Sequence, residues 1–222
     1  MLKAGCAGLA ERVYGGAALL MAGVRSGPEI SLEQEEAVRC LASAVVERGE
    51  DWSLVSLRRV VDGNADLLFP GGVVELISVW AAVRDQDMIA AMSDVEEPRL
   101  SRRVRMAILL RLAEAPGLRD AERKAVSVLA AHGKGLAGGR IVARTVDVIW
   151  QAAGDHASGF PWFTKRMTLT GVYLSVFLFW LARGEDREAV EAFLDRRLKE
   201  VLSLSRFRHP LRSVVPSHPV DA

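Results

Sequence analysis

Cysteine is scarce in this chain, with only Cys6 and Cys40 in 222 residues. Two thiols make neither a disulfide framework nor a zinc set, and their scarcity fits a reducing compartment. An excess of one charge is missing too. The 29 basic and 28 acidic residues leave +1, so the whole molecule has no electrostatic basis for wrapping nucleic acid, and any such case would need a local patch. The four histidines, His132, His156, His209 and His218, show no HExxH or other ligand spacing. Gly71-Gly72 and Gly138-Gly139 stand before predicted helices with no Walker lysine and no GxGxxG, which leaves no phosphate cradle. Asp155 and His156 could be read as a base with its orienting partner, but neighbours in a loop usually point apart, so a solvated loop pair is expected. Asp147 shares its helix with Arg140 and Arg144, and an internal salt bridge is expected there. The sequence therefore predicts no enzyme, no metal and no cofactor.

What is abundant is apolar side chain, at 50% of residues against 26% charged. That balance argues against disorder and gives a chain of this length a substantial core. Apolar residues recur at helical spacing throughout, and no strand pattern competes. Ser31 and Gln34 have capping-box spacing ahead of a helix to Glu47, with Ala37, Val38, Leu41, Ala44 and Val45 on one face. A short helix from Ser53 to Val61, a turn at Asp62-Gly63-Asn64 and a stub from Ala65 to Phe69 follow, before Pro70-Gly71-Gly72 breaks the pattern. Longer helices are expected over Val73 to Met92, from Pro98 to Pro116-Gly117, over Arg119 to Ala131 and over Gly139 to Ala153. After a loop from Gly154 to Pro161 come helices over Trp162 to Ala182 and Asp186 to Leu204. Residues 1–28, rich in Ala and Gly, lack the basic front of a secretory signal, and Glu11 and Arg12 interrupt them. They read as a poorly structured extension.

The expected fold is all-α, a TetR-like helical bundle with a degenerate helix-turn-helix head and a C-terminal amphipathic helix. Its parts are the extension (1–28), the head (29–70), a helical lipid-binding body (71–185), a membrane-contacting helix (186–206) and a tail (207–222). Short helices followed by longer ones is the layout of TetR-type regulators, which makes a DNA-binding regulator with a hydrophobic ligand the alternative function. A recognition helix wants basic or amide side chains against bases and phosphates. The candidate, DGNADLLF, instead carries Asp62 and Asp66 and neither Lys nor Arg. Arg58 and Arg59 could touch a phosphate backbone but supply no sequence readout on their own.

The segment WFTKRMTLTGVYLSVFLFWLA is apolar nearly all round from Leu169 to Ala182. It is shorter than the roughly 18 to 20 residues needed to cross a bilayer core. A helix of this kind fills a core or lines an apolar cavity, and its periodicity leaves both open. In the next helix Val190, Phe193, Leu194, Leu198, Val201, Leu202 and Leu204 cover about half the wheel. Arg197 lies within that stripe, where its stem could follow apolar surface while its head snorkels to a phosphate. From Arg196 to Arg212 the only acidic residue is Glu200, a pattern suited to an anionic membrane surface.

The blocks TVDVIWQAAGD (Thr145 to Asp155), FPWFTKRMTLTGVY (Phe160 to Tyr173), FPGGVVEL (Phe69 to Leu76) and FLDRRLKEV (Phe193 to Val201) resemble the auxiliary lipid-binding proteins of ubiquinone (coenzyme Q) biosynthesis. The resemblance runs in order from about Leu32 to Ser205. It implies a TetR-like fold that no longer regulates DNA, a homodimer, a pocket for isoprenoid quinone or phospholipid among the last helices, and presentation of quinone intermediates to a pathway hydroxylase. It places lipid contacts at Trp150, Leu169, Val172, Tyr173, Val176, Phe177 and Trp180. Membrane contacts fall at Phe193, Leu194, Arg197, Leu198, Val201 and Leu202, and partner contacts at Trp162 and Phe163. Phe163 stands where the family carries a tyrosine, and Gly159-Phe160-Pro161 and His156-Ala157-Ser158 depart from its usual pattern. The absence of an Arg/Ser-rich presequence favours a bacterial cytoplasmic protein peripheral to the inner membrane; in a eukaryote the matrix side of the mitochondrion is expected.

Overall fold

The computed structural model describes residues 29–61, 65–112, 117–131, 133–155 and 159–207, and for 159–161 and 202–207 the backbone alone. The expected extension, the Asp62-Gly63-Asn64 turn, Pro116, all four histidines, most of the tail and the side chains of Leu202 and Leu204 lie outside that description. Among the described residues every element is a helix. They are α1 (Leu32–Glu47), α2 (Leu54–Val60), α3 (Ala65–Leu68), α4 (Gly72–Met92), α5 (Leu100–Arg111), α6 (Leu118–Ala131), α7 (Gly135–Ala152), α8 (Gly159–Arg183) and α9 (Arg187–Phe207).

The head is set by local rules and then stitched to the body. The Ser31 hydroxyl accepts from the Gln34 amide at 3.1 Å, and the Gln34 side chain accepts back from the Ser31 amide at 3.2 Å. This closes two of the donors that an α-helix leaves open at its start. The same Gln34 side chain donates to the Leu68 carbonyl at 2.8 Å, fixing α3 against α1. Trp52 is fully enclosed. Its indole donates to the Ala121 carbonyl on α6 at 2.9 Å and its ring packs 5.4 Å from Trp80 on α4. At the start of α6, Gly117 has φ +75°, and a Cβ there would lie 2.2 Å from Val46 Cγ1. Only glycine accommodates both conditions.

Helix α4 runs through the middle. It buries residues around its whole circumference, among them Leu76, Val79, Trp80, Val83 and Met88. Its first half joins a core with α1, α2 and α6, and its second half one with α5, α7, α8 and α9. Arginines close helix ends across this junction. Arg103 donates to the Ala152 and Ala153 carbonyls at the end of α7 (3.1 and 2.9 Å), and Arg123 to the Leu181 carbonyl near the end of α8 (2.6 Å). Each satisfies carbonyls that the helix itself cannot pair.

Boundaries moved by a few residues. Helix α7 begins at Gly135, not Gly139, so Gly138 and Gly139 lie within it. Helix α8 begins at Gly159, with Pro161 in its first turn, and α5 begins at Leu100, after Pro98. A proline in the first turn removes an amide that has no intrahelical partner there, so the FPW sequence starts the helix rather than preceding it.

Candidate ligand cavity and the aromatic helix

Helix α8 has two apolar faces with different destinations. Leu169, Val172, Val176 and Trp180 fall on one arc and pack into the core shared with α5 and α9. Met167, Thr170, Leu174 and Leu178 fall on the other, with Tyr173 and Phe177 at the border. This second face forms one wall of a cavity of about 440 Å³, completed by α4, α5, α6 and α7. Seven lipid contacts were expected along this region. Tyr173 and Phe177 line the cavity, stacked 5.9 Å apart at 19°. Trp150, Leu169, Val172, Val176 and Trp180 do not line it. A 3.6-residue repeat carries the last four onto the core side, and Trp150, half-buried on α7, sits under Lys165, whose ammonium is 5.4 Å from its ring.

Other lining residues carry no signal in any single segment. Ile77, Trp80 and Ala81 come from α4, and Ala125, Val126 and Leu129 from α6. Gly138 and Gly139, inside α7, line the same wall, and a Cβ at Gly138 would meet nothing nearer than Leu129 Cδ1 at 3.9 Å. The floor is polar. Arg111, 3% exposed, donates to Asp85 Oδ1 at 2.7 Å and to Glu122 Oε1 at 3.3 Å, and the Thr145 hydroxyl donates to Asp85 at 3.0 Å. Burial pushes the Asp85 carboxyl above the ordinary range against the pull of Arg111. Burial opposes the Arg111 charge, but Tyr173, Glu122 and Asp85 outweigh it and hold the guanidinium protonated. Burial likewise pushes the Tyr173 phenol upward, so it is a neutral O–H. An arginine amid RMAILLRLAEA was the available cue, since a charge in an apolar register needs a buried partner.

The first turns of α8 present the expected partner residues. Trp162 and Phe163 are half-buried and pack on Ala143, which itself lines the cavity. Behind them Arg166, fully enclosed, pairs with Asp147 and lies 4.2 Å from the Trp162 ring. Asp147 therefore pairs across to α8, not with Arg140 or Arg144 as expected; Arg144 instead donates to the Ser78 carbonyl at 2.7 Å. Nor is Asp155 solvated. It is buried and accepts from Lys165 Nζ at 2.6 Å, because the α7–α8 turn folds it under α8.

Helix α9 is turned inward. Leu194 is fully buried against the body, which overturns its expected membrane contact. Phe193 stacks on Phe179 at 4.4 Å, and Leu198 and Val201 are half-covered by the same core. Arg197 does not snorkel outward: its Nε donates to Ser175 Oγ at 3.3 Å and its Nη1 to Glu200 at 2.7 Å. Arg105 clamps the helix to α5 through Asp195 (2.6 Å) and Glu191 (2.9 Å). In the head, Arg58 is bound to Asp66 at 2.7 Å and Arg59 to Glu50 at 3.3 Å, so the two cations nearest a phosphate backbone already have carboxylate partners.

Residues 137–205, spanning α7 to α9, match the COQ9 family model. Over that segment the chain is similar to the COQ9 family. It is 26% identical over 150 residues to the probable ubiquinone biosynthesis protein coq9, mitochondrial, of Dictyostelium discoideum, covering 64% of this chain and 49% of that protein. It is 33% identical over 66 residues to the ubiquinone biosynthesis protein COQ9-A, mitochondrial, of Xenopus laevis, covering 29% of this chain and 21% of that one. The Rattus norvegicus COQ9 is 30% identical over 69 residues, 31% of this chain and 22% of that one. The chain thus matches about half the length of the first relative and about a fifth of the others. The COQ9 segment holds the cavity-lining face of α8, the Trp162–Phe163 surface and α9. The all-α architecture agrees with a TetR-like bundle. No helix among the described residues is long and apolar enough to cross a membrane.

Proposed function

We propose that this protein is a lipid-binding accessory protein of ubiquinone biosynthesis. In this reading it holds an isoprenoid quinone intermediate or a phospholipid in the cavity of α4–α8 and presents it to a pathway hydroxylase. The observation that carries the proposal is an apolar cavity of about 440 Å³, about half of whose lining comes from the COQ9-matching segment. A volume of this size takes a small-molecule ligand and suits an apolar one with few polar anchors. Trp162 and Phe163 share Ala143 with the cavity wall, so a protein docked on them would sit one helix turn from Met167 at the cavity's edge. Peripheral membrane contact through the exposed cations of α9 and assembly as a homodimer belong to the same proposal, as does the absence of a reaction of its own.

The test is genetic and chemical. In cells lacking the endogenous protein, this chain is expected to restore ubiquinone, while W162A/F163A leaves a pathway intermediate accumulating with the protein still folded. Restoration by the double variant at the wild-type level would refute the partner surface. Failure of the folded wild-type chain in its own source organism would refute the function.

A further inference from the structure

The cavity opens to solvent along an edge of apolar side chains. Ala130 and Gly135, both exposed, form its α6 and α7 sides. Leu174 and Leu178 of α8 line it at 41% and 51% exposure, with Met167 two turns before Leu174. Leu136, next to Gly135, stands out further at 73%. Ser175 and Phe179, one residue round α8 from those leucines, carry α9 through Arg197 and Phe193. The exposed leucines of α8 therefore lie between the opening and α9. Single exposed leucines are ordinary, but a group of them around the opening of an apolar cavity marks a contact surface.

Charge along this edge has one sign. No Asp or Glu occurs from 123 to 146 or from 156 to 184, the two stretches that carry it. Most cations of these stretches are committed, Lys124 to the Gly49 and Glu50 carbonyls, Arg144 to the Ser78 carbonyl and Lys165 to Asp155. Lys134 and Arg140 are exposed at the start of α7 and bond to no described residue, and Arg140 lies one helix turn from Leu136. Exposed leucines beside uncommitted cations, with no carboxylate between them, suit anionic headgroups lying over hydrocarbon. A second copy meeting this face with its own would bring the same cations to a surface that has no carboxylate to receive them. The ligand supplies a further reason. Contact between the opening and a bilayer lets an apolar molecule pass without crossing water.

We propose that this edge is a membrane-docking surface. Leu136, Leu174 and Leu178 enter an anionic leaflet, Lys134 and Arg140 meet its phosphates, and the cavity opens into the bilayer. This rests on the lipid-binding reading above and names the face through which the lipid passes.

The experiment uses the full chain with Cys6→Ser and Cys40→Ser, carrying Leu136→Cys labelled with the polarity-sensitive fluorophore NBD. Vesicles are phosphatidylcholine alone or equal parts phosphatidylcholine and phosphatidylglycerol. NBD emission is expected to shift blue on the anionic vesicles, while the same label at Glu33→Cys, exposed on α1, stays unmoved. Leu136→Asp should weaken co-sedimentation with anionic vesicles about tenfold, and K134E/R140E by about the same factor, both with unchanged melting temperature. An emission unmoved by vesicles, or vesicle binding unchanged in both variants, would overturn the assignment. So would a blue shift that grows with protein concentration in the absence of vesicles, which would give the face to a second copy. A wild type that docks through Leu136 yet carries no lipid on extraction fails the lipid-binding reading alone. One that carries lipid while Leu136 stays in water fails this inference alone.

Discussion

Replacing Arg111 with Met is the perturbation whose consequence follows most directly from the geometry. Met matches the stem in length and polarity but removes the guanidinium that joins Asp85 and Glu122, whose side chains are 4% and 7% exposed. Packing is largely kept, so the cost is that of two buried carboxylates with their cation gone. Breaking a buried pair in this way costs about 3–5 kcal/mol, a large share of the roughly 5–15 kcal/mol available to a domain. The Thr145 hydroxyl still donates to Asp85 and recovers only part of it. The sign of the pH dependence is fixed by burial. Asp85 is already held above the ordinary carboxyl range, and losing Arg111 raises it further, so its penalty exists only where the carboxylate must be charged. Stability of R111M should therefore rise, not fall, as pH is lowered from about 7 toward about 5. Urea unfolding followed by circular dichroism measures both effects. Neutralising the abandoned acids in R111M/D85N/E122Q should recover more than half of the loss. A loss under about 1 kcal/mol in R111M, or a triple variant no better than the single, would refute the reasoning that the floor is held by a desolvated, mutually dependent ion cluster.

Three further outcomes follow from the same geometry. Leu194→Ala should cost about 2–4 kcal/mol in urea unfolding, because Leu194 is fully buried core and not membrane-facing surface; a loss below about 1 kcal/mol would restore the outward reading. Arg187 and Arg105 hold Glu191 below the ordinary carboxyl range, so the clamp contributes fully above that range and is lost as pH falls through the lowered value. Acid should therefore release α9 before the core, read as faster amide exchange along Arg187–Val201 below about pH 4, and in E191Q/D195N that release should already be present at neutral pH. Lys199 and Arg196 are exposed on α9, and K199E/R196E should reduce co-sedimentation with anionic vesicles while leaving neutral vesicles unaffected; an unchanged anionic interaction would remove α9 as the membrane contact.

Much of the fold was legible because it is locally encoded. The Ser31–Gln34 capping box, the acidic α3 and the apolar spacing of α1 and α4 each act within a few residues, and all take the expected form. Helix α8 shows where such reading stops. Its sequence is apolar on nearly every side, so periodicity marks no inward face, and only the surrounding helices assign Val172 and Trp180 to a core and Leu174 to a cavity. Cavity walls supplied by α4 and α6 are separated from α8 by long stretches of chain, and nothing in the α8 sequence points to them. The amphipathic stripe of α9 was visible, but a stripe specifies only that something covers it. Here Arg105, Phe179 and Ser175 turn it onto the body, and the exposed cations are left on the other side.

The central claim, that the cavity holds an apolar ligand, is tested most directly by native mass spectrometry of the purified chain followed by lipid extraction, with Ala130→Trp as the comparison. Ala130 is exposed at the rim, so a tryptophan there closes the mouth without entering the core. The account predicts a co-purifying quinone or phospholipid at one per chain in wild type and its loss in the equally folded variant. A wild-type chain with no lipid, or a lipid retained unchanged in Ala130→Trp, would contradict it.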